Sequence, residues 1–440
     1  MKSVNKLNIQ SITLKVKNLR LDSLMFVRKW ASKGIAAVID QALFSGSNFV
    51  VNILLARWLS PEEYGAFAVA LSVFYLLAGF HTAVLTEPMM VFGARKYKKS
   101  FRNYLGMLLY GHWGLSGGIA LLLSGVAVVM AGQGLGAMSQ VLWGLAIASP
   151  LLLLLWLIRR GCYVQTRPEW AAVGSGVNLA LVLAGLFLLL HVRLLSSLSG
   201  LVLLGVAAGV ASLAIMLSHL RPCFWGFTKN PTLVMVLSDH WSYGRWIILE
   251  KIAYSISAQL WLVLVPLFLG LHVSAALAAI WNLYRPISLF IQTIGLILLP
   301  TFANWISEGI RENDFQARVL KLAILFACAA GIYGFILTIV AEPLLHLLYK
   351  GKYDQYWLLV PLYGGATSFA VLVQNFITAM KARMAVTRLP VIWGVAAATC
   401  VFASVPLMLI SGVTGAVTGY LLGYALASVI AYRMLRSVSS

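Results

Sequence analysis

The clearest chemistry in this sequence belongs to an arginine in apolar surroundings: Arg285, near the middle of the run ALAAIWNLYRPISLFIQTIG. A charged arginine at the centre of a membrane span costs at least about 2.5–3.5 kcal/mol on insertion scales. It must therefore meet either an acidic partner or an anion in a water-filled cavity. Asn282, Ser288 and Gln292 recur with it at helical spacing, which places all four on one helix face. Pro286 follows directly, freeing a backbone carbonyl and permitting a kink. A second stripe, Gln41, Ser45, Asn48 and Asn52, lies in the first apolar run, and Thr367, Gln374, Asn375 and Thr378 form a looser third. Such stripes either bond helix to helix, at about 0.6 kcal/mol per bond, or line a wet cavity. On the second reading Arg285, Asn48, Asn52, Asn282 and Gln292 bind substrate.

Other charged residues are open to two readings each. Arg57 ends the first apolar run, where it either snorkels to the interface or binds an anion at the outer mouth. Asp40, Glu250 and Lys251 lie toward the inner surface, as a gate between two halves of the chain or as solvated interfacial groups. Glu87, with His81 late in the second run, serves ion coupling or is simply solvated. Covalent chemistry finds no support. Four cysteines stand apart with no CxxC pair, and seven histidines show no HExxH spacing. No catalytic, metal or cofactor site is expected.

The elements that must position these residues are membrane helices. Of 440 residues, 61% are hydrophobic and 10% charged, whereas soluble domains are about a quarter charged. Apolar stretches of about 20 residues recur, each able to cross a bilayer as a helix. Twelve spans are expected, at 36–58, 64–90, 104–130, 139–158, 170–190, 198–219, 246–269, 275–299, 319–340, 355–379, 389–410 and 414–432. The first begins too far from Met1 for a cleavable signal peptide. With the N-terminus inside, the inner segments hold 27 of the 33 lysines and arginines, and the outer connections only Arg57, Arg193, Lys350 and Lys352. That asymmetry places both termini in the cytoplasm. The net charge of +20 is thus topological, with attraction to anionic lipid heads, and a nucleic-acid partner is excluded.

The expected organisation is a basic segment over 1–35, a six-helix bundle over 36–219, a linker over 220–245, a second bundle over 246–432 and a tail over 433–440. An even number of spans per half relates the halves about the membrane normal. A weak internal match at an offset of 210 agrees, pairing Asp40 with Glu250. Between the first two spans, Ser60, Pro61 and Glu63 form a capping box, and Glu62 and Glu63 face the positive end of the helix dipole.

The stretch LARWLSPEEYGAFAVA resembles the polysaccharide transporter family, the O-antigen flippase-like exporters of the multidrug/oligosaccharidyl-lipid/polysaccharide (MOP) superfamily. Arg95 to Arg102, Arg159-Arg160-Gly161 and Arg167-Pro168 look similar too. A departure is TEPMMVFGARK, with Glu87-Pro88 where many relatives run apolar. The resemblance implies an all-α polytopic fold, a V-shaped pair of bundles around a cationic cavity. It also implies the flipping of undecaprenyl-diphosphate-linked oligosaccharide across a bacterial plasma membrane, beside the polysaccharide assembly machinery and with H+ or Na+ as coupling ion. Rivals are a multidrug cation antiporter of the same superfamily and a membrane polysaccharide polymerase or ligase. The antiporter would need buried carboxylates facing the lumen. The enzyme would need room for acceptor sugars, which the short outer connections do not offer.

Overall fold

A computed structural model describes residues 33–224, 232–383 and 385–437. The basic segment expected over 1–35 therefore lies almost wholly outside the described residues. Among those described, the chain is helical and no strand occurs. The helices are α1 (Lys33–Trp58), α2 (Pro61–His81, continued through a π-turn at Thr82–Thr86 into Glu87–Ala94), α3 (Phe101–Gly132), α4 (Gly136–Val164) and α5 (Pro168–His191). Next come α6 (Ser197–Ile215, with a π-turn at Met216–Leu220) and α7 (Leu233–Ser255, a π-turn at Ile256–Leu260, then Trp261–Leu269). They are followed by α8 (Leu271–Ser307), α9 (Glu312–Ile339), the short α10 (Ala341–Tyr349) and α11 (Leu359–Ala382). The last stretch, Leu389–Ser437, is two helices, α12 (389–410) and α13 (413–437), folded at Ser411 and Gly412. Gly412 takes φ 62°, a left-handed turn that favours glycine, and the Ser404 hydroxyl donates to the Ala416 carbonyl across the hairpin at 3.1 Å.

Ten of these stretches are long and apolar enough to cross a membrane. Dividing the α12–α13 hairpin and adding the 37-residue α8 makes twelve spans. In the first half α4 packs on α3 and α6, and α5 on α6; in the second α11 packs on α8, α9 and the hairpin. The halves meet along α2, which packs on both α7 and α8. At the end where α1 turns into α2, the end predicted to face outward, this contact is very close. A Cβ on Gly65 would lie 1.9 Å from the Leu271 carbonyl oxygen, so the two helix starts touch backbone to backbone. One hydrophobic core consequently runs from α1 and α2 of the first half into α8, α11 and α13 of the second.

The expected linker over 220–245 is shorter than the polarity of that region suggests. Helix α7 already starts at Leu233, capped by the Thr232 hydroxyl, which accepts from the Met235 N–H at 3.3 Å. Its polar residues read as loop because they bond to the first half, beyond the apolar part of the bundle. Lys96 donates to Asp239 at 2.7 Å, Tyr97 donates to the same carboxylate, and Tyr104 and His240 lie 2.7 Å apart. Burial alone would raise the Asp239 pKa, yet the bonds from Lys96 and Tyr97 hold it below the usual carboxylate range.

The capping box forms by half. The Ser60 hydroxyl accepts from the Glu63 N–H at 3.2 Å, with Pro61 in the first turn, but the Glu63 side chain makes no return bond among the described contacts. Replacing Glu62 and Glu63 together by glutamine should therefore cost about 1 kcal/mol or less. Thermal unfolding of the purified double variant checks this, and a much larger loss would give the pair a further role.

Candidate functional site

Arg285 is positioned by a rigid α8. Tyrosine hydroxyls from the second half donate to carbonyls along this helix: Tyr349 to Ala279 at 3.0 Å, Tyr333 to Leu283 at 2.7 Å and Tyr363 to Leu277 at 3.4 Å. Tyr284 in turn donates to Val360 at 2.6 Å. The helix continues through Pro286 without a break. The guanidinium is half-buried, and among the described residues it forms no ion pair. Of the two partners open to it from sequence, no acid is present among those residues. Its charge acts on Tyr64 and Tyr349, which places it beside the contact between the halves.

That contact is a polar lock at the predicted outer end. Asn282 donates to the Tyr64 hydroxyl at 2.9 Å, and Tyr64 donates to Asn52 Oδ1 at 3.3 Å. The chain of bonds joins α8, α2 and α1. Lys352, in the connection after α10, completes it. Its ammonium donates to the carbonyls of Arg57 at 2.9 Å, Ala56 at 3.5 Å and Leu59, which are orphan acceptors at the C-terminal end of α1. Burial, helped by the charge of Lys350, lowers the Lys352 pKa. Arg57 itself is half-buried with no ion pair among the described residues.

Asn52 and Asn282, two of the residues expected to bind substrate, are thus brought together in the lock. Asn48 lies one turn along α1, its amide donating to the Phe44 carbonyl at 3.1 Å. It lines a cavity of about 40 Å³ inside the first bundle, with Ser47, Tyr75, Trp156 and Asn178. Gln292 lies outside the described side chains.

The charged residues expected near the inner surface separate into different settings. Asp40 is neither solvated nor at the contact between the halves. It is fully buried, bidentate to Arg159 at 3.1 and 2.7 Å, and it also accepts from Tyr163 at 2.7 Å and Ser175 at 2.5 Å. Arg159 belongs to α4, which runs to Val164, beyond the expected end of the fourth span at 158, and its guanidinium stacks 3.7 Å from the Phe44 ring centroid. Glu250 pairs with Lys381 at 3.3 Å. Both pairs join an acid on the first span of a half to a base on its fourth, and only the acids share the offset of 210. Glu87 pairs with Lys251 at 3.0 Å, and this bond links the halves through α2 and α7.

The family model described as polysaccharide biosynthesis protein matches residues 28–305. The chain belongs to that family. The chain also shares its fold with solved MOP-superfamily transporters. An inward-facing multidrug resistance MATE family transporter matches with a TM-score of 0.74 at 14% identity, over 91% of this chain and 97% of that one. An outward-facing form gives 0.59 at 14% identity, over 92% and 93%. A MOP superfamily transporter from Pyrococcus furiosus, described as having a binding pocket of reverse polarity, gives 0.66 at 13% identity, over 92% and 93%. No curated protein matches the sequence.

Three structural features of this site escaped the sequence reading. The Lys352 anchor joins positions about 295 residues apart, and the Asp40–Arg159 pair joins two helices 119 residues apart. Neither separation leaves a local pattern. Tyr64, four residues after the N-cap Ser60 and so on the first full turn of α2, was not singled out among the polar residues of the spans.

Proposed function

We propose that the protein is a flippase that moves a lipid-diphosphate-linked oligosaccharide, a polysaccharide repeat unit, across the bacterial plasma membrane by alternating access. The observation that carries this reading is Arg285, a half-buried cation in mid-span without an acid among the described residues, beside the lock that closes the predicted outer end. The planar fork of an arginine suits a diphosphate oxygen pair, while the polyprenyl tail stays in the bilayer and the sugars cross between the halves. The closed outer lock and the higher similarity to the inward-facing relative support an inward-open state that loads cargo from the cytoplasmic leaflet. Both termini then face the cytoplasm. The Glu87–Lys251 pair is proposed as a contact of the inner gate, which must rearrange when the halves rock. Family membership supports the cargo class, and undecaprenyl diphosphate is the carrier proposed.

A multidrug cation antiporter remains the rival, favoured by the fold shared with solved multidrug resistance transporters. Against it, Asp40, Glu87 and Glu250 each already hold a cation of this chain. The deciding experiment uses spheroplasts of a strain lacking the protein. Lipid-linked oligosaccharide should accumulate where an external lectin cannot reach it, and re-expression should expose it. Equal exposure with and without the protein, together with lowered ethidium accumulation on expression, would favour the antiporter.

A further inference from the structure

Two buried histidines have no part in the reading above. His81 on α2 and His112 on α3 are both fully buried. Nε2 of His81 lies 3.0 Å from Nδ1 of His112, the rings edge to face with centroids 5.2 Å apart. Each sits well inside its span, far from either helix end. The outer nitrogens of the pair, His81 Nδ1 and His112 Nε2, have no hydrogen-bond partner. The same holds for the hydroxyls of Thr86, in the π-turn that follows His81, of Ser116, one turn along α3 from His112, and of Ser149 on α4. The Pro150 carbonyl, next to Ser149, lies near the His112 ring without reaching hydrogen-bonding geometry to Nε2. Unsatisfied polar atoms are rare in native interiors, and five of them on three mutually packed helices call for a ligand that small hydrogen-bonding groups can hold.

No carboxylate takes that role. Among the described residues neither ring bonds to a carboxylate. Of the ionised groups on the packed helices, Glu87 is held by Lys251, Glu250 by Lys381 and Arg159 by Asp40; Arg102 and Arg160 lie at the inner ends of α3 and α4. These helices also carry Glu62 and Glu63 at the start of α2, Asp239, His240 and Arg245 in the first half of α7, Cys162 at the inner end of α4, and the tyrosines Tyr64, Tyr75, Tyr104, Tyr110, Tyr163, Tyr243 and Tyr254. A neutral pair shares one N–H between the rings and carries a second N–H on one outer nitrogen, which leaves the other outer nitrogen with a free lone pair. One proton added at that lone pair gives an imidazolium hydrogen-bonded to an imidazole.

We propose that the His81–His112 pair is the proton-binding site that couples transport to the proton gradient. The structure holds the pair in its neutral, proton-released form. The state open to the other side carries the extra proton, with the rings reached by water. Between the pair and the Glu87–Lys251 contact of the two halves lies the π-turn Thr82–Thr86, and π-turns are frequent at functional sites. Opening of the pair is thereby transmitted to the contact that must break. The proposal rests on alternating access and is independent of the cargo. Since the proton binds preferentially to the hydrated state, acid must raise that state's population.

The test is the distance between spin labels at Gln133 and Ser411, on the predicted outer end of each half, in full-length protein with its native cysteines replaced, in lipid nanodiscs. Lowering the pH from about 8 to about 5 should add a longer distance in the wild type. His81→Gln and His112→Gln should each weaken that response by about fivefold or more. Lys352→Ala, which opens the lock without touching the histidines, should show the longer distance at both pH values. A pH response that survives both histidine variants overturns the proposal, as does its absence in a wild type whose Lys352→Ala variant opens. A distance that changes in no variant would remove alternating access itself, and the coupling site with it. Where a glutamine variant does not fold, the carbon-13 histidine spectrum of the wild type decides: two ring signals must titrate together over the range of the distance change, and unchanged signals overturn the assignment.

Discussion

Replacing Arg285 with alanine or glutamate is expected to abolish export while membrane abundance stays close to that of the wild type, and replacing it with lysine should retain part of the activity. The reasoning is electrostatic. Among the described residues the guanidinium satisfies no acid, so its removal strands no buried carboxylate; alanine makes insertion easier, and glutamate replaces one mid-span charge by another. What is lost is the partner of the cargo's diphosphate. Two charge-assisted hydrogen bonds at about 1.5 kcal/mol each amount to about 3 kcal/mol, or roughly 100-fold in affinity. Lysine keeps the charge and forfeits the bidentate fork, hence an intermediate result. Export and abundance must be measured on the same cells for all three variants. A fall in abundance that precedes the fall in export would mean a structural ion pair, and an abundant alanine variant that exports normally would show that the anion is bound elsewhere.

Arg285 was legible in the sequence because its signal is a single residue against a uniform background: an apolar run of that length admits few reasons for a charge. The helices were legible for the same reason, and the turn between α12 and α13 fell where the run weakens at Ser411-Gly412. What the sequence hides is pairing. Asn52 and Asn282 were read as cavity residues from their helical faces, and the faces are right. Only the fold shows Tyr64 standing between them and converting two stripes into one lock. Asp40 was read as interfacial because it lies near the start of α1, with no sign that α4 extends its last turns alongside to bring Arg159 under it. The start of α7 was missed through the opposite error. Its polar residues answer to Lys96, Tyr97 and Tyr104 of the first half, and hydropathy counts polarity without knowing what it bonds to.

The second large effect is expected at Asp40. With Arg159 almost fully buried beside it, Asp40→Asn leaves a guanidinium in the bundle without a counter-charge, at a cost of about 3–5 kcal/mol. Abundance and thermal stability should fall before any change in transport becomes measurable. Arg159→Met should be milder, because the carboxylate it abandons keeps the hydroxyls of Tyr163 and Ser175 and is free to take up a proton. Removing both charges together, Asp40→Leu with Arg159→Met, should recover most of the loss, since a buried pair is worth little against apolar groups of similar volume. The single Asp40→Leu variant, measured beside Arg159→Met and the double variant, closes a double-mutant cycle whose coupling energy measures the pair. An ion-coupling role for Asp40 predicts the reverse order: a stable, abundant Asp40→Asn protein that has lost its response to the proton or sodium gradient. That outcome would move the coupling site from the His81–His112 pair to α1 and reduce Arg159 to the group that tunes it.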